Sequence, residues 1–268
     1  MLDFDAEERR IWSGRAAAFR DGFAKLCAHT APALLDAVGA GPGTRLLDVG
    51  TGVGTVAAAA SARGARVTAV DAEPGMIELA RQQVPDAEFH LAVLPHLPFA
   101  PDSFDAVVAN FVVNHVGRPA ATVAAMRGAT RPGGRVAATI WSSPAGAGHE
   151  LLDRAVEAAG ARRPADQPRL DPAEEFPRTA EGFGALFTTA GLTDVSCEPV
   201  SWDHVTTPEE WWNGAAAGVG MIGQAISRQS PETIARIRAA YDELAPRYSA
   251  PDGRLLLRYH ALLATGRA

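Results

Sequence analysis

The sequence is poor in lysine and in cysteine: Lys25 is the only lysine, and two cysteines occur among 268 residues. Cys27 and Cys197 stand far apart and have no partners at metal-ligand spacing, which argues against a disulfide framework and against a metal centre. The net charge is −6, and no cluster of basic residues is present that could neutralise phosphates. The composition therefore argues against a nucleic-acid partner.

Long apolar runs are also missing from the sequence. No uninterrupted stretch approaches the roughly 20 residues of a membrane-spanning helix, which argues against a membrane partner. The first ten residues, MLDFDAEERR, are acidic and lack the apolar core of a signal peptide. We therefore expect a cytoplasmic protein, either a monomer or a homodimer, with the 47% hydrophobic content of an ordinary globular chain.

Short apolar runs alternate with helical segments between residues 44 and 141. The runs RLLDVG, RVTAVDA, AEFHLAV, FDAVVANFVV and GRVAATIW have the pattern of buried strands, and RPGG predicts a turn before the last of them. Such alternation is typical of βαβ units with right-handed crossovers. The sequence therefore predicts an α/β fold with a mostly parallel sheet.

The remaining segments complete a single predicted domain over residues 1–268. Residues 1–38 have helical spacing and predict an N-terminal helical cap, and residues 161–178 predict an irregular connection. DVSCEPVSW and GRLLLRYHALLATG read as the last two strands. Between them, residues 206–250 predict a helical insertion, in which Thr207 and Glu210 form a capping box. This insertion could act as a lid over the carboxyl edge of the sheet.

Three glycines at alternate positions, Gly50, Gly52 and Gly54, follow the first strand. A tight turn alone needs fewer glycines, so the pattern indicates a ligand close to the backbone. A dinucleotide loop has the spacing G-x-G-x-x-G, which would place its last glycine at position 55, where this chain has threonine. With Asp48, the stretch DVGTGVG instead resembles the first motif of the class I S-adenosylmethionine-dependent methyltransferases.

Further stretches resemble the ubiquinone-biosynthesis-like small-molecule branch of that family, namely HLPFAPDSFDAVVANFVVNHV and RPGGRVAATIW. The resemblance implies a Rossmann-like fold with a seven-stranded sheet and an added helical lid. It also implies S-adenosylmethionine as cofactor, S-adenosylhomocysteine as product, and a small-molecule acceptor.

The resemblance also implies a set of cofactor-binding residues: Phe19, Asp48, Gly50, Thr51, Gly52, Gly54, Asp71, Ala72, Met76, Val93, Leu94 and Asn110. Asp71 ends the second strand, where a carboxylate can accept both ribose hydroxyls, although it could instead favour a helix N-terminus. Val93 stands where the family often has an aspartate for the adenine amino group. Adenine recognition would then depend on backbone groups near Val93 and Leu94.

Methyl transfer needs alignment of the acceptor and, for some acceptors, a general base. His115 and His149 are the base candidates, although His115 could instead have a structural or cofactor-shaping role and His149 could be a surface residue at a helix start. Candidate substrate-binding residues are Trp141, Trp211, Trp212 and Met221. They could line an apolar acceptor pocket, but packing in the core would account for such residues about equally well. They favour a largely apolar metabolite or natural product, as in secondary metabolism.

Three alternatives to methyl transfer stay open at this point. The same fold and cofactor could support another reaction, such as cyclisation, or the chain could be a binding module without catalysis. An NAD(P)-dependent oxidoreductase fits less well, because the glycine spacing differs and because Lys25 leaves no Tyr-x-x-x-Lys pair.

Overall fold

The computed structural model describes residues 4–144, 146–162 and 169–268. Part of the predicted irregular connection, residues 163–168, and the first three residues of the predicted cap lie outside the described residues. The helices are α1 (Phe4–Trp12), α2 (Ala16–Asp21), α3 (Phe23–Cys27), α4 (Ala31–Ala37), α5 (Thr55–Ala62), α6 (Pro74–Gln83), α7 (Pro119–Ala129), α8 (Ala147–Ala158), α9 (Ala180–Thr189), α10 (Pro208–Ala216), α11 (Gly220–Ser227) and α12 (Pro231–Leu244). Short 3₁₀ turns span Ala28–Thr30, Val113–His115 and Ala245–Tyr248.

The described strands form one seven-stranded sheet in the order β3-β2-β1-β4-β5-β7-β6. The strands are β1 (Arg45–Val49), β2 (Arg66–Asp71), β3 (Glu88–Leu91), β4 (Phe104–Asn110), β5 (Thr130–Trp141), β6 (Thr193–Thr206) and β7 (Leu255–Arg267). β7 runs antiparallel to both of its neighbours, β5 and β6, whereas the other pairs of neighbouring strands in the described sheet are parallel. The predicted α/β class and the mostly parallel sheet are confirmed.

The central strands are apolar because helices cover both faces of the sheet. On one face, side chains of α4, α5 and α6 pack on β1 and β2, and on the other, α7 and α9 pack on β4 and β5. The chain order reverses between β1 and β4, which lie side by side. In an open parallel sheet, the crevice at the carboxyl ends of such neighbouring strands is where ligands bind.

The RPGG stretch differs from its prediction as a turn before the fifth strand. It lies inside β5, where the pairing with β4 shifts between the Phe104–Thr130 pair and the Ala106–Arg135 pair. Gly133, with φ of +76°, allows this irregularity. The extra residues bulge out of the ladder, and the strand therefore begins at Thr130 rather than after the glycines.

Helices α10, α11 and α12 connect β6 to β7. Thr207 caps α10 by accepting the Glu210 N–H at 3.1 Å. The Glu210 carboxylate does not complete the predicted capping box, because it instead accepts the Thr206 hydroxyl and pairs with Lys25. The three helices share an apolar cluster with α8 and β7. In the part of the chain that the structure describes, no helix is both long enough and apolar enough to cross a membrane.

Candidate functional site

A cavity of about 780 Å³ opens at the carboxyl ends of β1, β2 and β4, under α1, α2 and the start of α11. Most of the predicted site residues line it: Phe19, Asp48, Gly50, Thr51, Gly52, Asp71, Ala72, Met76, Val93, Leu94, Asn110, His115, Trp141, His149 and Met221. Gly54, Trp211 and Trp212 do not. The tertiary structure thus brings together residues from positions 19 to 221 of the chain.

The glycine loop after β1 presents two backbone positions to this cavity. Gly50 and Gly52 have φ of +66° and +55°, which side-chain-bearing residues rarely adopt. A Cβ on Gly50 would lie 2.9 Å from Cγ1 of Val112, and one on Gly52 would lie 3.2 Å from Cε1 of Phe19. Backbone conformation and close packing therefore both favour glycine at these two positions, and both residues line the cavity.

The third glycine of the motif has a different role from the one predicted for it. Gly54, with φ of +89°, precedes α5, and a Cβ there would lie 3.1 Å from both Cα and Cβ of Ala80. Its missing side chain lets the start of α5 pack closely on α6. Gly54 shapes the loop from behind and does not face the cavity.

Asp71 ties the glycine loop to the start of α6. Its Oδ2 accepts the Gly52 N–H at 2.8 Å, and its Oδ1 accepts the Glu73 N–H at 3.0 Å. Burial raises the pKa of Asp71, and these backbone donors partly oppose the effect. Each carboxylate oxygen can accept a further hydrogen bond. The group can therefore still receive two hydroxyls of a ligand.

Asp48 is the second carboxyl group at this end of the cavity. It is buried at the end of β1, and its Oδ2 accepts the Thr51 hydroxyl at 2.6 Å. Burial raises the pKa of Asp48 to about 7, and the neighbouring charge of Asp71 adds to the shift. A positively charged ligand group would stabilise the carboxylate form of Asp48 and so lower its pKa again.

The remaining cofactor candidates divide into an apolar surface and an anchored amide. Val93 is 40% exposed, and with Leu94 and the buried Met76 it forms an apolar part of the lining. The side chain of Asn110 is already engaged: its Oδ1 accepts the Thr30 and Thr139 hydroxyls, and its Nδ2 donates to a backbone carbonyl. The backbone of Asn110 and one N–H of its side-chain amide are left to contact a ligand.

The opposite wall of the cavity is aromatic. Phe111 stacks on Trp141 with a ring separation of 3.8 Å and an angle of 16° between planes. Phe111 has φ of +58°, an uncommon conformation for a bulky residue, and it follows β4 directly. Its role was missed in the sequence, because no residue pattern announces a left-handed phenylalanine.

His115 contacts two residues of α1, Glu8 through a hydrogen bond and Trp12 through an edge-on ring contact. Oε2 of Glu8 lies 2.9 Å from Nδ1 of His115 and also accepts the indole N–H of Trp12 at 3.2 Å. One turn earlier, Asp5 accepts the Gly117 N–H at 2.6 Å. Glu8 was missed because it lies in an amphipathic helix 107 residues from its partner, where an acidic residue is unremarkable. In the neutral form of the ring, a carboxylate on Nδ1 places the proton there and leaves the lone pair on Nε2.

His149 lies at the start of α8 and lines the same cavity. Burial lowers the pKa of His149 to about 4, so the imidazole is neutral at physiological pH. The hydroxyl of Tyr259 lies 3.0 Å from its Nδ1. Tyr259, on β7, has no motif that would have indicated this partnership from the sequence.

The two tryptophans of α10 do not form part of the cavity, and their prediction as substrate-binding residues is corrected. Trp211 and Trp212 are only 2% and 6% exposed. Trp211 donates its indole N–H to the Gly148 carbonyl at 3.2 Å, and Trp212 packs on Tyr241. Both anchor α10 in the core. Met221, at the start of α11, does line the cavity.

Metal ligands do not cluster in the part of the chain that the structure covers. Among residues 4–144, 146–162 and 169–268, no group of three or more histidine, cysteine, aspartate or glutamate side chains is placed to hold a metal ion.

The chain is similar to known methyltransferases. The family model "Methyltransferase domain" matches residues 47–138. A demethylmenaquinone methyltransferase of Mycobacterium sp. (strain KMS) is 32% identical over 192 residues, which cover 71% of this chain and 79% of the relative. The demethylmenaquinone methyltransferase of Renibacterium salmoninarum is 39% identical over 111 residues, 41% of this chain. The chain spans about half the length of that second relative, 47%.

A solved structure gives a further likeness. Phosphoethanolamine N-methyltransferase 2 of Haemonchus contortus, in complex with S-adenosyl-L-methionine, has a TM-score of 0.53 to this chain at 20% identity. The alignment covers 89% of this chain and 52% of that one. At this identity the likeness concerns the fold.

Proposed function

Because the chain belongs to the class I S-adenosylmethionine-dependent methyltransferases, in their quinone-biosynthesis-like branch, we propose that it methylates a small, largely apolar acceptor. One observation carries this proposal. A single cavity is lined by the glycine loop, by the carboxyl groups of Asp48 and Asp71, by the stacked rings of Phe111 and Trp141, and by His115. A donor and an acceptor can therefore meet inside it.

The loop end of the cavity fits the cofactor that the family uses. The backbone of Gly50 and Gly52 would approach its amino-acid portion, and Asp71 would accept its ribose hydroxyls. Asp48 would neutralise its ammonium group, while Met76 and Val93 would pack on its adenine. When bound, S-adenosylmethionine supplies a methyl group that is already activated on a sulfonium sulfur. The chain has mainly to align the acceptor for in-line displacement.

The aromatic end of the cavity supports a flat, oxygen-bearing acceptor. Phe111 and Trp141 present ring surface, and His115 carries a lone pair on Nε2 because Glu8 occupies its Nδ1. His115 would take the proton of an acceptor hydroxyl as the bond to the methyl carbon forms and the carbon–sulfur bond breaks. The names of the curated relatives make 1,4-dihydroxynaphthalene a first acceptor to test.

Calorimetry tests the cofactor assignment directly. We expect S-adenosylmethionine and S-adenosylhomocysteine to bind, and NADPH not to bind. Transfer of a labelled methyl group to 1,4-dihydroxynaphthalene then tests the reaction. Binding of NADPH without a response to the other two would exclude the proposed function.

We further propose that α1 and the start of α11 act as a lid, since both contribute to the cavity wall.

Asp71→Ala is expected to weaken S-adenosylhomocysteine binding by about ten- to a hundredfold, the equivalent of roughly 1.5–3 kcal/mol for hydrogen bonds to a charged group. The variant loses the ribose acceptor and also the acceptor of the Gly52 N–H. Asp86→Asn, a change at an exposed turn outside the cavity, serves as control in the same calorimetric titration. An unchanged dissociation constant in a folded Asp71 variant would remove this residue from the site.

Cofactor binding is expected to release up to one proton at pH 6. In the free protein the raised pKa of Asp48, about 7, keeps this group largely protonated below pH 7. The positive charge of the bound ligand favours the carboxylate and lowers that pKa, so affinity rises with pH towards 7 and levels off above it. Titrations in buffers of different ionisation enthalpy measure the release, and Asp48→Asn should abolish it. Equal heats in all buffers for the wild-type protein would contradict the prediction.

A further inference from the structure

The second histidine of the cavity, His149, is surrounded by aromatic rings. Its ring is enclosed by the rings of Phe23, Trp141, Trp211 and Tyr259, whose centroids lie between 5.5 and 6.3 Å away. The first turn of α8 can approach Tyr259 because position 148 is glycine: a Cβ there would lie 2.6 Å from the Tyr259 hydroxyl. The imidazole therefore has one fixed orientation, with its remaining open side on the cavity.

The hydrogen bond to Tyr259 decides which ring nitrogen carries the proton. Tyr259 is fully buried, and among the described residues its hydroxyl has no hydrogen-bond acceptor, side chain or backbone, other than Nδ1 of His149 at 3.0 Å. In the other tautomer, Nδ1–H would donate to the tyrosine oxygen and leave a buried hydroxyl hydrogen without an acceptor. Folded proteins avoid such groups. The tyrosine thus donates to Nδ1, and the imidazole proton is on Nε2.

The protonation states of both groups agree with this arrangement. Burial raises the pKa of Tyr259 well above its ordinary value, so the phenol keeps the proton that it donates. Burial also lowers the pKa of His149 to about 4, so the ring stays neutral. A neutral ring whose Nδ1 accepts a hydrogen bond has an N–H, not a lone pair, on its other nitrogen.

We propose that His149 is a hydrogen-bond donor that selects acceptor molecules with a carbonyl or oxyanion oxygen, and that Tyr259 is the residue that positions it. The inference deepens the proposed function and depends on it for the identity of the ligand. Glu8 and Tyr259 hold the two histidines in opposite tautomers: His115 presents a lone pair and His149 presents an N–H. Such a pair can remove a proton at one point of a substrate and stabilise negative charge on an oxygen at another.

The tautomer is tested by long-range proton–nitrogen NMR on protein labelled with ¹⁵N-histidine. The signals of His149 are assigned by their loss in His149→Phe. We expect the wild-type protein to show the His149 proton on Nε2, and Tyr259→Phe to shift the ring towards a tautomer mixture. A proton on Nδ1 of His149 in the wild-type protein would overturn the proposal. This measurement needs no methyl transfer, so it can fail or succeed separately from the proposed function.

Selectivity is tested with two probes of similar shape, 2-acetonaphthone and 2-ethylnaphthalene, of which only the first accepts a hydrogen bond. We expect the wild-type protein, with S-adenosylhomocysteine present, to bind the ketone about tenfold more tightly, as one hydrogen bond allows. His149→Phe should remove this preference while keeping the aromatic wall, and Tyr259→Phe should reduce it. His90→Gln, at a histidine outside the cavity, should leave the preference unchanged.

Two results of the probe experiment would overturn the proposal. One is a ketone preference that persists in His149→Phe, and the other is failure of both probes to bind to the folded wild-type protein. If the preference depends on His149 but no methyl transfer occurs with any acceptor, His149 still recognises an oxygen atom, and only the proposed function fails.

Discussion

Replacing Gly50 by alanine is expected to raise the dissociation constant for S-adenosylhomocysteine by about a hundredfold. The φ of +66° costs an alanine roughly 1–2 kcal/mol. The added Cβ would also lie 2.9 Å from Cγ1 of Val112, and closer still to Cγ2. Relief of this contact displaces either the loop or the segment after β4, and both line the cavity. Calorimetric titration measures the loss.

A matched glycine separates strain from site damage. Gly39 has nearly the same conformation, with φ of +64°, but nothing lies within 4 Å of a Cβ built on it. Gly39→Ala should therefore lose about 1–2 kcal/mol of stability through backbone strain, yet bind the cofactor normally. Thermal melts of both variants show that each is folded. If Gly50→Ala binds as tightly as Gly39→Ala, the cofactor does not contact this loop.

The second large effect is expected at His115. His115→Gln should lower kcat for 1,4-dihydroxynaphthalene by about 10²–10⁴-fold, the range for loss of a general base, with little change in KM. Glu8→Gln should lower kcat by a smaller factor, because glutamine keeps the contact to Trp12 but no longer holds Nδ1–H of His115 with a charge. Single-turnover transfer of a labelled methyl group separates this step from product release.

The double variant shows whether the two residues act together. If Glu8 acts only through His115, adding Glu8→Gln to His115→Gln should cause little further loss. His90→Gln, outside the cavity, should be as active as the wild-type protein. Full activity of His115→Gln would show that transfer needs no base at this position, as for an acceptor whose attacking atom is an activated carbon.

The loop end of the cavity could be predicted because its residues are close together in the sequence. Asp48, Gly50 and Gly52 lie within one strand and its following turn, and Asp71 ends the next strand along the chain. Parallel pairing places these strand ends side by side. The prediction went too far at Gly54, because the same spacing cannot show whether a glycine faces a ligand or a helix.

The aromatic end of the cavity could not be predicted in the same way. Aromatic residues such as Trp141 and Trp211 look alike in sequence, and only packing decides that the first lines the cavity and the second is buried in the core. Phe111 lines the cavity because of its left-handed backbone conformation, which no sequence pattern indicates.

The sequence by itself determined the α/β fold, the mostly parallel sheet and the glycine loop after β1, because strand pattern and glycine spacing are local properties. Only the tertiary structure decided which other groups line the cavity. Glu8 contacts His115 across 107 residues, and Tyr259 contacts His149 across 110. Such pairs form when α1 packs near the end of β4 and when β7 takes its place between β5 and β6. The tautomer of each histidine, and so its chemistry, depends on that packing rather than on its neighbours in the chain.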